Sequence, residues 1–172
     1  MLDAGEAGKA GDESRSRPVA MFQMVEVRTA GAALAQPLGE FFESLKAAGE
    51  EAQFHPHPLD RAEAERRVRY DGRDLYYVLM DGGRVIGYGM LRGWDEGYDI
   101  PSLGIAVRPD ERGKGLSKLL MLFLHAAARR RGAREVRLTV NPDNAIALRL
   151  YREIGYTFHT MGDGRLEGIL RL

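Results

Sequence analysis

From "MFQMVEVRT" onward, apolar and polar residues alternate with the two-residue period of a half-buried strand, which predicts a first strand over about residues 22–29. The period then changes. In "PLGEFFESLKAAG", Leu38, Phe41, Phe42 and Leu45 recur at helical spacing and form one apolar stripe, as expected of a helix packed on a sheet. Prolines interrupt "EEAQFHPHPLDRAEAERRV", where Asp60 with Glu63 resembles a capping box at the start of a polar second helix. The weak apolar face of that helix predicts a mobile flap or a substrate-side element. "DLYYVLMDGGRVIGYGMLRGW" carries two β-rich runs around Asp81-Gly82-Gly83, a hairpin signal because glycine supplies the positive φ of a tight turn.

"SLGIAV" adds a strand after the loop "DEGYDIP". The next helix places Leu116, Leu119, Leu120, Phe123, Leu124 and Ala127 on one face and stops at the cationic "RRRG". "EVRLTV" reads as a strand. "PDNAIALRLYREIG" reads as a helix with Ala147, Leu150, Tyr151 and Ile154 on one stripe, Asn141 as N-cap and Pro142 in its first turn. "YTFHTM" and "RLEGILRL" make a closing hairpin around Gly162-Asp163-Gly164. The order β, α, α, β, β, β, α, β, α, β, β predicts an α/β (α+β) domain, a mixed sheet flanked by helices.

Residues 1–20, small, charged and glycine-rich, bury too little apolar surface to offset their ordering entropy and are expected to form a disordered tail. Residues 21–172 then make a single domain, since a chain of 172 residues buries roughly 70% of its unfolded surface. The 25 basic and 25 acidic side chains cancel, so no global field draws the protein to nucleic acid or to an anionic membrane. The chain has no cysteine, which rules out disulfides and thiolate chemistry and suits a cytoplasmic location. Neither a membrane-length apolar run nor a signal-peptide core is seen.

The candidate chemistry lies in "VRPDERGKGLSKLL", where an apolar strand runs through a glycine-rich basic turn into a helix. Backbone N–H groups at such a helix start attract an anion, and Arg112 and Lys114 add charge, so a phosphate or pyrophosphate is the favoured guest. Neither the dinucleotide-binding nor the Walker spacing of glycines is present.

This stretch, followed by "VNPDNAIALRLYREIGY", resembles the GCN5-related N-acetyltransferase (GNAT) superfamily over roughly residues 22–172. The family's acyl-CoA signature, Arg or Gln-x-x-Gly-x-Gly or Ala, is met by Arg112-Gly113-Lys114-Gly115-Leu116-Ser117, with serine departing from the last position. The resemblance implies a centrally splayed β-sheet. It also implies acetyl-CoA held by the loop and helix start (Arg112 to Ser117), by backbone groups of Ile105, Ala106 and Val107, and by Asn144 and Tyr151. It gives Tyr151 the role of general acid to the departing thiolate, although on pattern alone Tyr151 is a core aromatic. Lys118 and Arg149 read as exposed helix charge.

The implied reaction is direct attack by a neutral primary amine on the thioester, the oxyanion being held by backbone N–H near Val107. "SLGIAV" lacks the glutamate many members carry there, which leaves Asp99 as the first candidate base, beside Glu96, Asp95, His55 and His57. Phe54, His55 and His57 are expected to line the acceptor pocket; two histidines among prolines without a third ligand do not make a metal site. The acceptor is expected to be a small molecule or a protein N-terminus, homodimerisation is left open, and the competing function is a non-catalytic acyl-CoA sensor.

Overall fold

The computed structural model describes residues 22–54 and 56–172, so the expected tail and His55 lie outside the described residues. Strand β1 (Phe22–Glu26) leads into a short helical turn α1 (Val27–Ala30) and helix α2 (Ala35–Ala47). Helix α3 (Arg61–Val68) precedes the strands β2 (Leu75–Asp81), β3 (Arg84–Arg92) and β4 (Ser102–Val107). Helix α4 (Leu116–Arg130), β5 (Glu135–Val140), α5 (Ala145–Ile154), β6 (Thr157–Thr160) and β7 (Leu166–Arg171) complete the fold. The seven strands form one sheet in the order β1-β2-β3-β4-β5-β7-β6, antiparallel except at β4–β5.

Alternation decides what each sheet face carries. One face presents Tyr76, Val78, Tyr88 and Met90 to Leu38, Phe41, Phe42 and Leu45 of α2 and to Ala64 and Val68 of α3. The opposite face presents Leu75, Leu91, Leu103, Val136, Leu138 and Val140 to Met121, Leu124 and Ala128 of α4 and to Leu148 of α5. The β2–β3 hairpin turns through Gly82 and Gly83, both at positive φ, with Asp81 opposite Arg84.

Several sequence expectations are corrected. The alternating pattern of 22–29 ends at Glu26, because Val27 is buried in the helical turn that follows. The buried stripe of α4 is Leu116, Leu120, Met121, Leu124, His125 and Ala128; Leu119 faces solvent, because the helix docks with its seam rotated by about one position from the one its apolar residues outline. The N-cap of α5 is Asn144, whose side-chain oxygen accepts from the Ala147 N–H at 3.2 Å, whereas the Asn141 amide donates to Gln53 Oε1 at 3.0 Å. Helix α3 is no loose flap. Asp60 caps it through the Glu63 N–H at 2.7 Å, Arg61 grips Glu43 of α2 with two hydrogen bonds at 2.7 and 2.9 Å, and Glu63 is buried against Arg66 and Arg67. Ion pairs, which the hydrophobic pattern does not record, fix this helix.

Candidate functional site

The two parallel strands touch only where they start. β4 registers with β5 at Ser102↔Arg137 alone, and the Arg137 N–H donates to Pro101 O at 3.0 Å. On its other edge β4 pairs fully with β3, and the Arg108 N–H donates to Ile86 O at 2.9 Å. An antiparallel ladder alternates, so the even-numbered residues of β4 spend their backbone groups on β3. Ile105 and Val107 therefore turn N–H and C=O into the widening gap before β5, while Ala106 is tied to β3 and its methyl packs among the α2-side core.

At the open end of β4 the chain passes through Pro109–Glu111 and the turn of Arg112 to Gly115 into α4. Gly113 and Gly115 lie at φ 75° and 79°, with nothing within 4 Å of a Cβ placed on either. Gly115 is the N-cap of the 15-residue α4 and has no side chain to satisfy the first-turn N–H groups of Leu116, Ser117 and Lys118. Orphan donors, an open approach and the positive end of the helix dipole make a cradle for a phosphate group. The two cations of the turn are already engaged. Arg112 Nη2 lies 2.8 Å from Glu50, and Lys114 Nζ lies 2.6 Å from Glu111, which also meets Arg84. The backbone, more than the side-chain charge, is what this turn offers an anion. Lys118 is exposed, and Arg149 pairs with Glu153 along α5.

Tyr151 of α5 packs in the cluster that contains Ile105, Leu138 and Val140, on the helix side of the gap. Burial pushes its pKa up to about 12, so the phenol keeps its proton at neutral pH. Its ring lies 5.8 Å from that of Tyr156, whose hydroxyl bonds His125 Nε2 at 2.8 Å. The glycine-rich turn thus continues directly from β4, and Ile105 of β4 shares a cluster with Tyr151.

Among the described residues, no helix packs on the opposite face of β5, β7 and β6. That face presents Thr139, Glu167 and His159, opposite one another across the strands, with Arg137 one pair along, opposite Ile169. His159 Nε2 lies 3.1 Å from Glu167, and Arg137 lies 3.7 Å from the same carboxylate and stacks over Tyr98. Glu167 and Arg137 were not singled out from sequence; the polar positions alternating within "EVRLTV" and "RLEGILRL" were the available signal.

Of the expected pocket residues, Phe54 is half-buried against the His57 ring. The His57 side chain is turned inward among Phe42, Phe54 and Tyr88; its Nδ1 donates to Pro58 O at 2.8 Å and its Nε2 meets the Tyr88 hydroxyl at 3.1 Å. Burial lowers its pKa. It ties Phe54 and Pro58 to Tyr88 of β3. Asp99 is exposed in the loop before β4, beside Tyr98. Asp95 of the same loop is taken by the Tyr70 hydroxyl and the Arg73 N–H. Buried Asp74 anchors the start of that loop by accepting from the Gly93 and Trp94 N–H groups at 2.9 Å each.

The GNAT domain of S. lividans PAT superposes with a TM-score of 0.72 at 20% identity, covering 89% of this chain and 90% of that one. The PaiA N-acetyltransferase of Thermoplasma acidophilum, solved in complex with coenzyme A, gives 0.69 at 13% identity, covering 88% and 99%. In sequence, the mycothiol acetyltransferase of Rhodococcus opacus is 34% identical over 123 residues, 63% of this chain, and the match spans only 40% of that protein's length. The acetyltransferase (GNAT) family profile matches residues 39–156, which include the gap strand, the glycine turn and the whole of α5. The chain belongs to the acetyltransferase (GNAT) family.

Proposed function

We propose that this domain transfers an acetyl group from acetyl-CoA to a primary amine by direct attack. The observation that carries the reading is the junction of an uncapped helix N-terminus with a gap between parallel strands whose free edge offers the backbone groups of Ile105 and Val107. A pyrophosphate fits the cradle of Gly113 to Ser117, and a pantetheine arm, itself an extended chain of amides, fits the open strand edge. Asn144 and Tyr151 flank the arm from α5.

The amine enters from the helix-free face. Its nitrogen bonds to the thioester carbon, the carbon–sulfur bond breaks, and the oxyanion formed between these events is met by backbone N–H near Val107. The amine's surplus proton passes to Asp99, through water, with Glu167 as the second carboxylate of that face. The sulfur takes its proton from Tyr151. A phenol of pKa about 12 donates to a thiolate only if the thiolate is also desolvated, and the apolar wall of Ile105, Leu138 and Val140 desolvates both. One observation favours an acyl-CoA sensor instead: β4 carries no carboxylate.

The test has two parts. Mass spectrometry of the purified protein is expected to find retained CoA or acetyl-CoA, and a broad amine panel with acetyl-CoA is expected to release free thiol. Tight CoA binding with no release by any amine selects the sensor, and no CoA binding at all overturns both readings.

A further inference from the structure

Among the described residues, the acceptor face holds a cation with no counter-ion. Arg92, the last residue of β3, is half-buried, and its Nη1 donates to Pro56 O at 2.8 Å. Its Nε is shielded from bulk water and has no hydrogen-bond partner, and among the described residues no carboxylate lies within 4 Å of it. Orphaning a charged donor in this way is costly unless something else completes it.

The sheet places two further groups in line. Arg92 is registered opposite Ser102, and Ser102 opposite Arg137, so the three residues form one row across β3, β4 and β5 on the face that carries no α4 or α5. Neighbouring strands lie about 4.8 Å apart, so the two arginines flank the serine with their Cα atoms about 10 Å from each other. Arg137 is only loosely held, 3.7 Å from Glu167 and stacked on Tyr98, and among the described residues the Ser102 hydroxyl has no protein partner. The row lies where the two parallel strands part, beside the mouth through which the amine must pass.

We infer that the acceptor amine carries a carboxylate, and that Arg92, with Ser102 and Arg137, binds it. This deepens the acetyl-transfer reading and rests on it for the identity of the acceptor. With Nη1 committed to a carbonyl, Nε and Nη2 form the remaining edge, and a ligand reaches the shielded Nε only when the guanidinium turns outward. That planar two-donor edge matches the two oxygens of a carboxylate. Ser102 adds a neutral donor, and Arg137 a second charge that turns from Glu167 to the ligand. With the carboxylate fixed at the start of β4, the rest of the acceptor runs along β4 into the gap, so the spacer between carboxylate and amine decides which acid brings its nitrogen to the thioester.

The experiment has a binding arm and a turnover arm. In the first, CoA-loaded protein is titrated with N-acetylglycine, N-acetyl-β-alanine and N-acetylglutamate, each beside its primary amide. The Arg92 Nε–H signal is followed by NMR and assigned by its loss in Arg92→Lys, which keeps the charge but not the fork. The acids are expected to shift this signal and the amides not; no shift, or equal shifts, overturns the carboxylate site. In the second arm, free amino acids and their amides compete as acceptors in thiol release. The acids are expected to lead in kcat/KM by about 10–100-fold, a margin lost in Arg92→Lys. Equal kcat/KM overturns the inference and leaves acetyl transfer standing, whereas aminophosphonates outpacing every carboxylate overturns the choice of anion. An NMR shift without any turnover supports the anion site and overturns the transferase reading.

Discussion

Tyr151 and His125 lie on the same side of the sheet, and burial acts on them in opposite senses. The Tyr151 phenol is raised to about 12 and stays protonated, whereas the His125 imidazole, buried beside the Tyr156 hydroxyl, is lowered to about 4 and stays neutral. Tyr151→Phe keeps the ring in its cluster and removes only the donor. With an accepted amine, kcat is expected to fall about 10²-fold, while CoA affinity measured by calorimetry stays within a factor of about two. An unchanged kcat under chemistry-limited conditions would mean that another group protonates the thiolate. The histidine predicts acid lability. Between the unfolded pKa of about 6.5 and the folded value of about 4, the unfolded chain binds a proton that buried His125 does not, so stability falls as pH falls through that window. His125 alone accounts for roughly 3 kcal/mol, and His57, also lowered by burial, acts in the same direction. Urea midpoints are expected to drop from about pH 7 to about pH 4.5, and to drop less in His125→Gln; equal drops would show that this histidine does not set the effect.

At the scale of elements, α4 sits close to the sheet because β3 places two glycines, Gly87 and Gly89, beneath it. A Cβ on Gly87 would meet Leu120 Cδ1 at 2.9 Å, and one on Gly89 would meet Leu124 Cδ1 at 3.0 Å. Gly89→Val is therefore expected to cost about 1–3 kcal/mol, read from the urea midpoint, and Leu124→Ala in the same chain is expected to recover part of that loss. Full additivity of the two changes would show that they do not share the contact. The other end of α4 predicts the opposite balance. Gly115 has open space around it, so Gly115→Trp costs only the strain of its positive φ, about 1–2 kcal/mol. The indole then occupies the space over the uncapped N–H groups. CoA affinity is expected to fall by at least about 10-fold with the circular dichroism spectrum unchanged, and parent-like affinity would move the cradle elsewhere.

For the whole molecule, the two helical layers cover opposite faces of the sheet, and the proposed cofactor line follows the gap between β4 and β5. A ligand spanning that line stabilises the folded state by mass action. Acetyl-CoA at about 100 times its Kd is expected to add about 2.7 kcal/mol and to raise Tm by several degrees, with ATP and NAD giving smaller shifts. A larger shift with ATP or NAD would mark the cradle as a nucleotide site instead. The segment from Glu50 to Phe54 is tied to both sides of this line, through Glu50 to Arg112 and through Gln53 to Asn141, so it bridges the glycine turn and the end of β5. Among the described residues no helix is long and apolar enough to cross a membrane.

Local pattern was enough for most of this chain. The strands "SLGIAV" and "EVRLTV" stand where their alternation puts them, and the Asp81-Gly82-Gly83 turn follows from the backbone freedom of glycine. The glycine-rich turn before α4 and the order of the elements were likewise legible, because each depends on residues near one another in sequence. Contacts between distant residues were not. The parting of β4 and β5 is a matter of register between strands joined through α4, and no property of either strand states it. The neutralisation of Arg112 by Glu50, the inward turn of His57 and the row of Arg92, Ser102 and Arg137 arise from side chains brought together across the sheet. Sequence determined which backbone groups and charges the protein owns. Only the tertiary structure decided which were already paired with one another and which were left for a ligand.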